Sequence, residues 1–186
     1  RLNIVNINKK TKGMAITCLK LENLIDKKLP IFISSCDYSF LLDEKKLHKL
    51  LKQKPDAIIF TFKKYPDARI DPNSYAYVKV RDNKIINVAE KKTISKHPNK
   101  DYAVVGTFYF KDWNTFDFAV KKMIEAKNSV NNEYYVATAI NELIDRKFKV
   151  CNFEVSSFIS WSLPHHTLTY FYWLNIFNNY RIEIFK

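Results

Sequence analysis

The chain has 186 residues, of which 47% are hydrophobic, 31 are Lys or Arg and 19 are Asp or Glu, so its formal net charge is +12. This length is sufficient for one domain that buries its own core and needs no stabilising disulfide or metal ion. Only two glycines occur, Gly13 and Gly106, and they lie far apart. A Walker A loop and a dinucleotide fingerprint are therefore excluded, because each needs closely spaced glycines through which backbone N–H groups approach a phosphate.

The positive net charge has two interpretations. Lysines clustered on one face would indicate a nucleic-acid groove, because such a face releases counterions from phosphates. Here the lysines are distributed from Lys9 to Lys186 among many Asn, Ile, Phe and Tyr residues, and no known DNA- or RNA-binding motif is present. A solvated basic surface is therefore favoured, and we do not expect nucleic acid as a partner.

The cysteines and the apolar runs predict the compartment. Cys18, Cys36 and Cys151 show neither a CxxC motif nor Cys/His spacing typical of a metal site, so we expect buried thiols in a reducing environment. No apolar run approaches the ~20 residues that cross a bilayer. These features predict a cytoplasmic protein without a membrane span. The strand-like pattern of residues 2–7, which begins without Met, suggests that the chain starts inside a larger fold.

Strand and helix patterns alternate along the first part of the chain. The predicted elements are, in order, a strand at 2–7, a helix at 14–25, a buried strand at 30–36, a helix at 43–54 and a buried strand at 56–62. Asp43 is a typical N-cap for the second helix, and Pro55 ends it.

The second part departs from simple alternation. Its predicted elements are a hairpin of strands at 74–80 and 84–90, a strand at 103–110, helices at 112–127 and 134–146, a strand at 148–155, a helix from Pro164 to about Asn178 and a short strand at 181–185. Strands that alternate with helices predict an α/β fold with a mostly parallel sheet covered on both faces, and the hairpin makes that sheet mixed. Ligands of such sheets bind beyond the carboxyl ends of the strands.

Two positions at strand ends carry groups suited to phosphate chemistry. Asp37 directly follows a very apolar strand, where a carboxylate could hold Mg²⁺ against phosphate oxygens; the alternative is that it caps the following turn. Glu90 and Lys91 place an acceptor beside a cation, which suits a substrate with hydroxyls and a phosphate. The alternative for this pair is an exposed charge run.

Other residues indicate a function less specifically. Gly106 lies within a strand, where glycine is unfavourable unless a ligand or backbone approaches closely. Gly13 opens a helix whose free N–H groups could face an anion or a base edge. His165 and His166 suggest a metal site, but adjacent side chains at a helix start diverge by about 100° and neither of the other two histidines completes a site, so a capping or surface role is favoured. The aromatic run at 170–173 is typical of the core of a terminal helix.

Six segments resemble, in the same order, those of the sugar-phosphate nucleotidylyltransferases, specifically their capsule- and cell-wall-associated relatives. The segments are TKGMA (11–15), PIFISSCDYSF (30–40), DPNSYAYVKVRDNKIINVAEKKTIS (71–95), AVVGTFYFK (103–111), NEYYVATAINELI (132–144) and SWSLPHHTLTYFYW (160–173). Six elements in one order are specific, whereas any one alone would be weak.

The resemblance implies a three-layer αβα fold, glycosyltransferase-A-like or Rossmann-like. It implies transfer of a nucleoside monophosphate from a nucleoside triphosphate to a phosphorylated acceptor, a sugar phosphate or a related molecule, for capsule or surface polysaccharide biosynthesis. A phosphomonoester oxygen attacks the α-phosphorus and pyrophosphate leaves. By the same resemblance Asp37 is the catalytic, Mg²⁺-binding residue, Gly13 lies beside the base, and Glu90, Lys91 and Gly106 line the acceptor site.

The sequence also departs from the family's pattern. The family's glycine-rich loop, with its arginine and downstream lysine, would precede Arg1. Residues 162–164 read Ser-Leu-Pro where Gly-Thr-Pro is usual, and Ser160 stands where many relatives have a second metal-binding Asp. We therefore expect residues 1–186 to form a single, amino-terminally truncated domain that lacks its first βα unit. Such a chain is expected to be inactive alone and to associate with itself or with the missing fragment.

Three functions remain open at this point. The chain is the greater part of a nucleotidyltransferase, or a degenerate, non-catalytic domain that binds a nucleotide sugar or a partner enzyme, or a basic module that binds nucleic acid. The missing loop and the Ser-Leu-Pro segment support the second, and only the net charge supports the third.

Overall fold

The computed structural model describes residues 3–180. The helices in this range are α1 (Met14–Leu19), α2 (Glu44–Leu51), α3 (Asp67–Ile70), α4 (Trp113–Glu125), α5 (Val136–Asp145) and α6 (Pro164–Tyr180). The strands are β1 (Ile31–Ser34), β2 (Tyr38–Leu41), β3 (Ala57–Phe62), β4 (Tyr77–Arg81), β5 (Lys84–Ala89), β6 (Tyr102–Phe110), β7 (Val150–Glu154) and β8 (Ser157–Ser160).

Six of these strands form the central sheet in the order β1-β6-β3-β7-β5-β4, and β4 also pairs with the start of β6. The remaining two, β2 and β8, form a small antiparallel sheet in which Tyr38 lies opposite Ser160. The long strand β6 pairs with three strands of the central sheet: β1, β3 and β4. The mixed α/β architecture predicted from the sequence is therefore confirmed.

The expectation of a mostly parallel sheet is wrong for the described residues. Only the β3/β7 pair is parallel, whereas β1/β6, β3/β6, β4/β5, β4/β6 and β5/β7 are antiparallel. Strands β1, β3 and β7 do run in one direction, but β6 lies between β1 and β3 and runs the opposite way. Alternation of helix and strand along the chain does not determine which strands become neighbours. The sequence pattern therefore could not show that β6 lies between β1 and β3.

Strand β3 shows why both faces of the sheet are covered. All of its residues are buried, and successive side chains of a strand point to opposite faces. Ala57 and Ile59 pack into the core formed with α4 and α5, while Ile58, Phe60 and Phe62 pack into a second core that includes leucines of α2 and residues of the small sheet. This arrangement agrees with the predicted three layers.

Local capping explains where two helices begin. Asp43 precedes α2, and its side chain accepts a hydrogen bond from the Lys46 backbone N–H at 3.0 Å. Asp112 does the same for α4 through the Thr115 backbone N–H at 2.7 Å. Each aspartate satisfies a backbone donor that has no partner within its helix.

Several predicted elements differ from the structure. Residues 3–7 form no regular element and Ile4 is 81% exposed, because no neighbouring strand among the described residues pairs with them. The helix predicted at 14–25 ends at Leu19 and is followed by a short 3₁₀ turn. Strand β8 was not predicted, and Cys36 is exposed rather than buried. The strand predicted at 181–185 lies outside the described residues.

No helix within residues 3–180 combines the length and the apolar character that crossing a bilayer requires.

Gly13 is required by close backbone packing at the start of α1. Its φ is +99° and its ψ is 170°, a conformation essentially restricted to glycine. The Tyr134 backbone N–H donates to the Lys12 carbonyl at 2.8 Å, and the Ala15 N–H donates to the Tyr134 carbonyl at 3.1 Å. A Cβ on Gly13 would lie 2.6 Å from the Tyr134 carbonyl oxygen. This glycine therefore lets α1 dock on the segment that leads into α5.

We expect Gly13→Ala to lower the free energy of unfolding by about 2–4 kcal/mol, because the new methyl group meets backbone that cannot move aside and the φ angle becomes strained. The control is Lys12→Ala, at an exposed side chain, for which a change within about 0.5 kcal/mol is expected. Urea denaturation measures both. Equal effects of the two substitutions would contradict this account of Gly13.

Candidate active site

A cavity of about 350 Å³ lies beyond the ends of β1 and β5 and beside the middle of β6. Four of the five residues singled out from the sequence line it: Asp37, Glu90, Lys91 and Gly106. The fifth, Gly13, is not part of the lining, although its neighbour Met14 is. The expected convergence of residues distant in sequence is thus observed for four positions. The role expected for Gly13 beside a base has no support in this geometry, since the backbone of Tyr134 accounts for the glycine.

Asp37 offers a free carboxylate to the cavity. Its side chain is exposed and accepts no hydrogen bond from the described residues, whereas its backbone carbonyl accepts one from the Trp161 N–H at 2.8 Å. The capping aspartates Asp43 and Asp112 each bind a backbone N–H with the side chain, and Asp37 does not. The alternative of a turn cap therefore has no hydrogen bond to support it.

The donor set near Asp37 consists of oxygen atoms. Pairing of β2 with β8 places Ser160 next to this segment, and the Ser160 Oγ lies 2.8 Å from the Ser162 Oγ, with both serines lining the cavity. Mg²⁺ binds oxygen ligands and usually keeps several waters, so one carboxylate with neighbouring hydroxyls fits it. With Ser160 in place of a carboxylate, a metal ion here would rely more on substrate oxygens.

Gly106 provides room for an aromatic ring. Its φ is +95°, and a Cβ would lie 3.0 Å from a ring carbon of Tyr38. The Tyr38 hydroxyl lies 2.8 Å from the Thr107 Oγ1 and 3.1 Å from the Ser34 Oγ, and it accepts a hydrogen bond from the Ser35 backbone N–H at 3.0 Å. These contacts fix the Tyr38 ring as a wall of the cavity. Sequence reasoning missed Tyr38, and its only signal was its position directly after Asp37.

Glu90 is held at the end of β5 by a contact with α5. The backbone N–H of Val88 donates to the Asn141 side-chain oxygen at 2.9 Å, and the Asn141 amide donates back to the Val88 carbonyl at 2.9 Å. Burial raises the pKa of Glu90 to about 7, and the neighbouring Lys91 opposes that rise only partly. The cavity therefore contains a carboxyl group that changes charge near neutral pH.

Lys91 faces the start of α5. Its ammonium lies 5.0 Å from the centre of the Tyr135 ring, a cation–π distance. The Tyr135 hydroxyl donates to the Glu133 carboxylate. A hydrogen bond with Tyr135 and the nearby carboxylates raise the pKa of Lys91, so its positive charge is maintained. Tyr135 was also missed as a site residue, although the EYY lead-in to α5 contained it.

A family model described as nucleotidyl transferase matches residues 3–176. The chain belongs to the nucleotidyl transferase family. The resemblance inferred from six sequence segments is thereby confirmed at the level of the family.

Solved structures of sugar nucleotidyltransferases share the fold. A nucleoside-diphosphate-sugar pyrophosphorylase from Vibrio cholerae has a TM-score of 0.70 and 20% identity, with 88% of this chain and 66% of that one covered. A UDP-glucose pyrophosphorylase complexed with UDP-glucose has a TM-score of 0.66 and 17% identity, with 90% and 64% covered. An inositol-1-phosphate CTP transferase from T. maritima has a TM-score of 0.55 and 16% identity, again with 90% and 64% covered.

The chain thus spans just under two thirds of the length of each of these structures. No curated protein matches it significantly in sequence. At these identities the likeness establishes the nucleotidyl transferase fold.

The raised pKa of Glu90 makes stability depend on pH. Between its usual value of 4.5 and about 7, the unfolded chain ionises this carboxyl while the folded chain keeps it protonated. Folding then becomes less favourable as pH rises through that window, by up to about 3 kcal/mol for this group. Glu90→Gln removes the titration, so we expect the variant to gain stability relative to the wild type as pH rises.

The measurement is urea denaturation between pH 4.5 and 8 for the wild type, Glu90→Gln and the matched control Glu154→Gln, which changes an exposed glutamate at the end of β7. Other titrating groups cancel in the difference between proteins. A wild-type to Glu90→Gln difference that stays constant over this pH range would show that Glu90 is not buried as described.

Proposed function

We propose that this chain carries the acceptor side of a nucleotidyltransferase site. The reaction is transfer of a nucleoside monophosphate from a nucleoside triphosphate to a phosphorylated small molecule, a sugar phosphate or a related compound, for the synthesis of a capsule or surface polysaccharide. The observation that carries this proposal is the convergence of Asp37, Glu90 and Lys91 on one cavity in a chain of this family.

The two groups at the end of β5 suit the two ends of such an acceptor. Glu90, with a pKa near 7, exchanges hydrogen bonds with a sugar hydroxyl as acceptor or as donor. Lys91, held charged beside Tyr135, offers three N–H donors to a phosphate. Catalysis of this kind depends on positioning and on electrostatic stabilisation, and it needs no covalent bond to the protein.

Asp37, together with Ser160 and Ser162, would hold Mg²⁺ at the Tyr38 side of the cavity. When bound, the ion would supply positive charge that offsets the charge of phosphate oxygens. The role of the chain's own residues is to present these oxygen donors at one end of the short β2/β8 sheet, which contacts the central sheet through Tyr38.

We propose further that these 186 residues act as one partial domain. With only two distant glycines they contain no glycine-rich loop for a triphosphate. The edge strand β1 exposes Phe32 (55%), and α6 exposes Trp173 (52%) among other apolar residues, so we propose association with a second copy or with a fragment that carries the loop.

The second candidate function is a non-catalytic domain that binds a nucleotide sugar. It is favoured by Ser160 at the position of a second carboxylate and by the Ser-Leu-Pro segment at 162–164. Reading the coding sequence upstream of Arg1 discriminates the two. A segment with closely spaced glycines and an arginine supports the enzyme, and its absence supports the binding domain.

For the isolated chain we expect binding without turnover. Titration calorimetry with UDP-glucose as probe, with and without Mg²⁺, should show binding that Mg²⁺ strengthens. Mixtures of a nucleoside triphosphate and a sugar phosphate should release no measurable pyrophosphate, since loss of even one preorganised donor typically costs ~10²–10³ in rate. Asp37→Asn should lower affinity in Mg²⁺ at least about tenfold, with a melting temperature close to that of the wild type, because the exposed side chain contributes little to packing.

The matched control is Asp145→Asn, which removes an exposed aspartate at the end of α5 that does not line the cavity. It should leave binding unchanged. Equal binding by the wild type and Asp37→Asn in Mg²⁺, or ordinary turnover by the isolated chain, would refute the corresponding part of the proposal.

A further inference from the structure

A second group of chemistry-bearing side chains lies outside the candidate active site. Asp67 at the start of α3 meets His165 and His166 at the start of α6, although about 100 residues separate them along the chain. One ligand atom from each residue lies within 4.8 Å of the other two. The two imidazole rings are 4.2 Å apart, centre to centre. From the sequence only the other histidines were considered as a third ligand, whereas the structure brings an aspartate beside this pair.

His166 is the buried member of this cluster. The residue is only 9% exposed, and neither ring nitrogen makes a well-directed hydrogen bond to the described residues. The Nε2 atom nevertheless contacts a carboxylate oxygen of Asp67. A buried imidazole without a proper hydrogen-bond partner is unfavourable, since such polar groups are almost always satisfied. A cation that replaced this direct contact, with the nitrogen and the carboxylate both as ligands, would satisfy both groups.

The donor set indicates the class of cation. Two imidazole nitrogens and one carboxylate oxygen suit Zn²⁺ and related transition metals, which bind nitrogen at about 2.0–2.1 Å in tetrahedral geometry. Mg²⁺ prefers oxygen ligands, such as those around Asp37. The two places therefore differ in the metal that they select.

We propose that Asp67, His165 and His166 form a site for a transition-metal ion of the Zn²⁺ class. The three side chains leave a fourth position for water or another small ligand, and all three line a cavity of about 200 Å³. The bound ion joins the start of α6 to the segment that follows β3.

The proposed metal site lies next to the candidate active site. Ser74, Tyr75 and Ser162 line both the small cavity at the cluster and the candidate active site. Ser162 lies three residues before His165, so an ion at the cluster fixes the segment between β8 and α6. An apolar cavity of about 570 Å³ also borders the cluster, and it is lined by residues of α6 together with Tyr65 and Ile159. The ion thus links the start of α6 to the segment after β3, at a place where apolar packing is incomplete.

The test uses the full chain, stripped with a chelator and then titrated with Co²⁺ and Zn²⁺. We expect one ion per chain, a visible Co²⁺ spectrum typical of nitrogen and oxygen ligands in tetrahedral geometry, and no displacement by excess Mg²⁺. Substitutions His165→Ala and Asp67→Asn should each lower the Zn²⁺ affinity by at least about 100-fold. His165 is exposed, so its replacement does not endanger folding.

The matched controls are His97→Ala and Cys36→Ser, which remove other exposed metal-binding side chains and should leave the affinity unchanged. Absence of saturable Co²⁺ and Zn²⁺ uptake by the wild type would overturn the proposal. Loss of uptake in either control with retention in His165→Ala would do the same, as would ready displacement of the ion by Mg²⁺.

Discussion

The arrangement of the site depends on the contact between Gly106 and Tyr38. Strand β6 runs against the direction of β1 and β3, and the one glycine within it leaves space that the Tyr38 ring fills. The Tyr38 hydroxyl then meets Thr107 of β6 and Ser34 of β1. Because Tyr38 begins the small β2/β8 sheet, this contact attaches that sheet, with Asp37 and Ser160, to the central one.

Helix α5 positions the part of the cavity at the end of β5. Asn141 holds the end of β5 through both backbone groups of Val88, and the start of the helix brings Tyr135 against Lys91. Burial of Glu90 beside a cation gives a neutral or singly charged pair near pH 7. Under the proposed function, a phosphorylated sugar would contact this pair and the free carboxylate of Asp37.

Several site residues and helix starts could be predicted from the sequence, because strand ends and capping residues are local signals. Asp37, Glu90 and Lys91 each follow an apolar strand, and the aspartate cap predicted the start of α2, although this helix ends at Leu51, four residues before Pro55. The position of β6 could not be predicted, since it depends on which strands become neighbours. The partnership of Asp67 with His165 and His166 was missed for the same reason, as it joins segments distant in the chain.

We propose that the cavity between Tyr38 and Glu90 binds the sugar-phosphate side of a nucleotide sugar. The most direct measurement is a ¹H–¹⁵N NMR titration of the chain with UDP-glucose and Mg²⁺. We expect the perturbed amides to concentrate at residues 35–38, at 90–91, at Gly106 and at the start of α5. Perturbations confined to the apolar cavity beneath α6, or spread over the lysine-bearing surface, would contradict it.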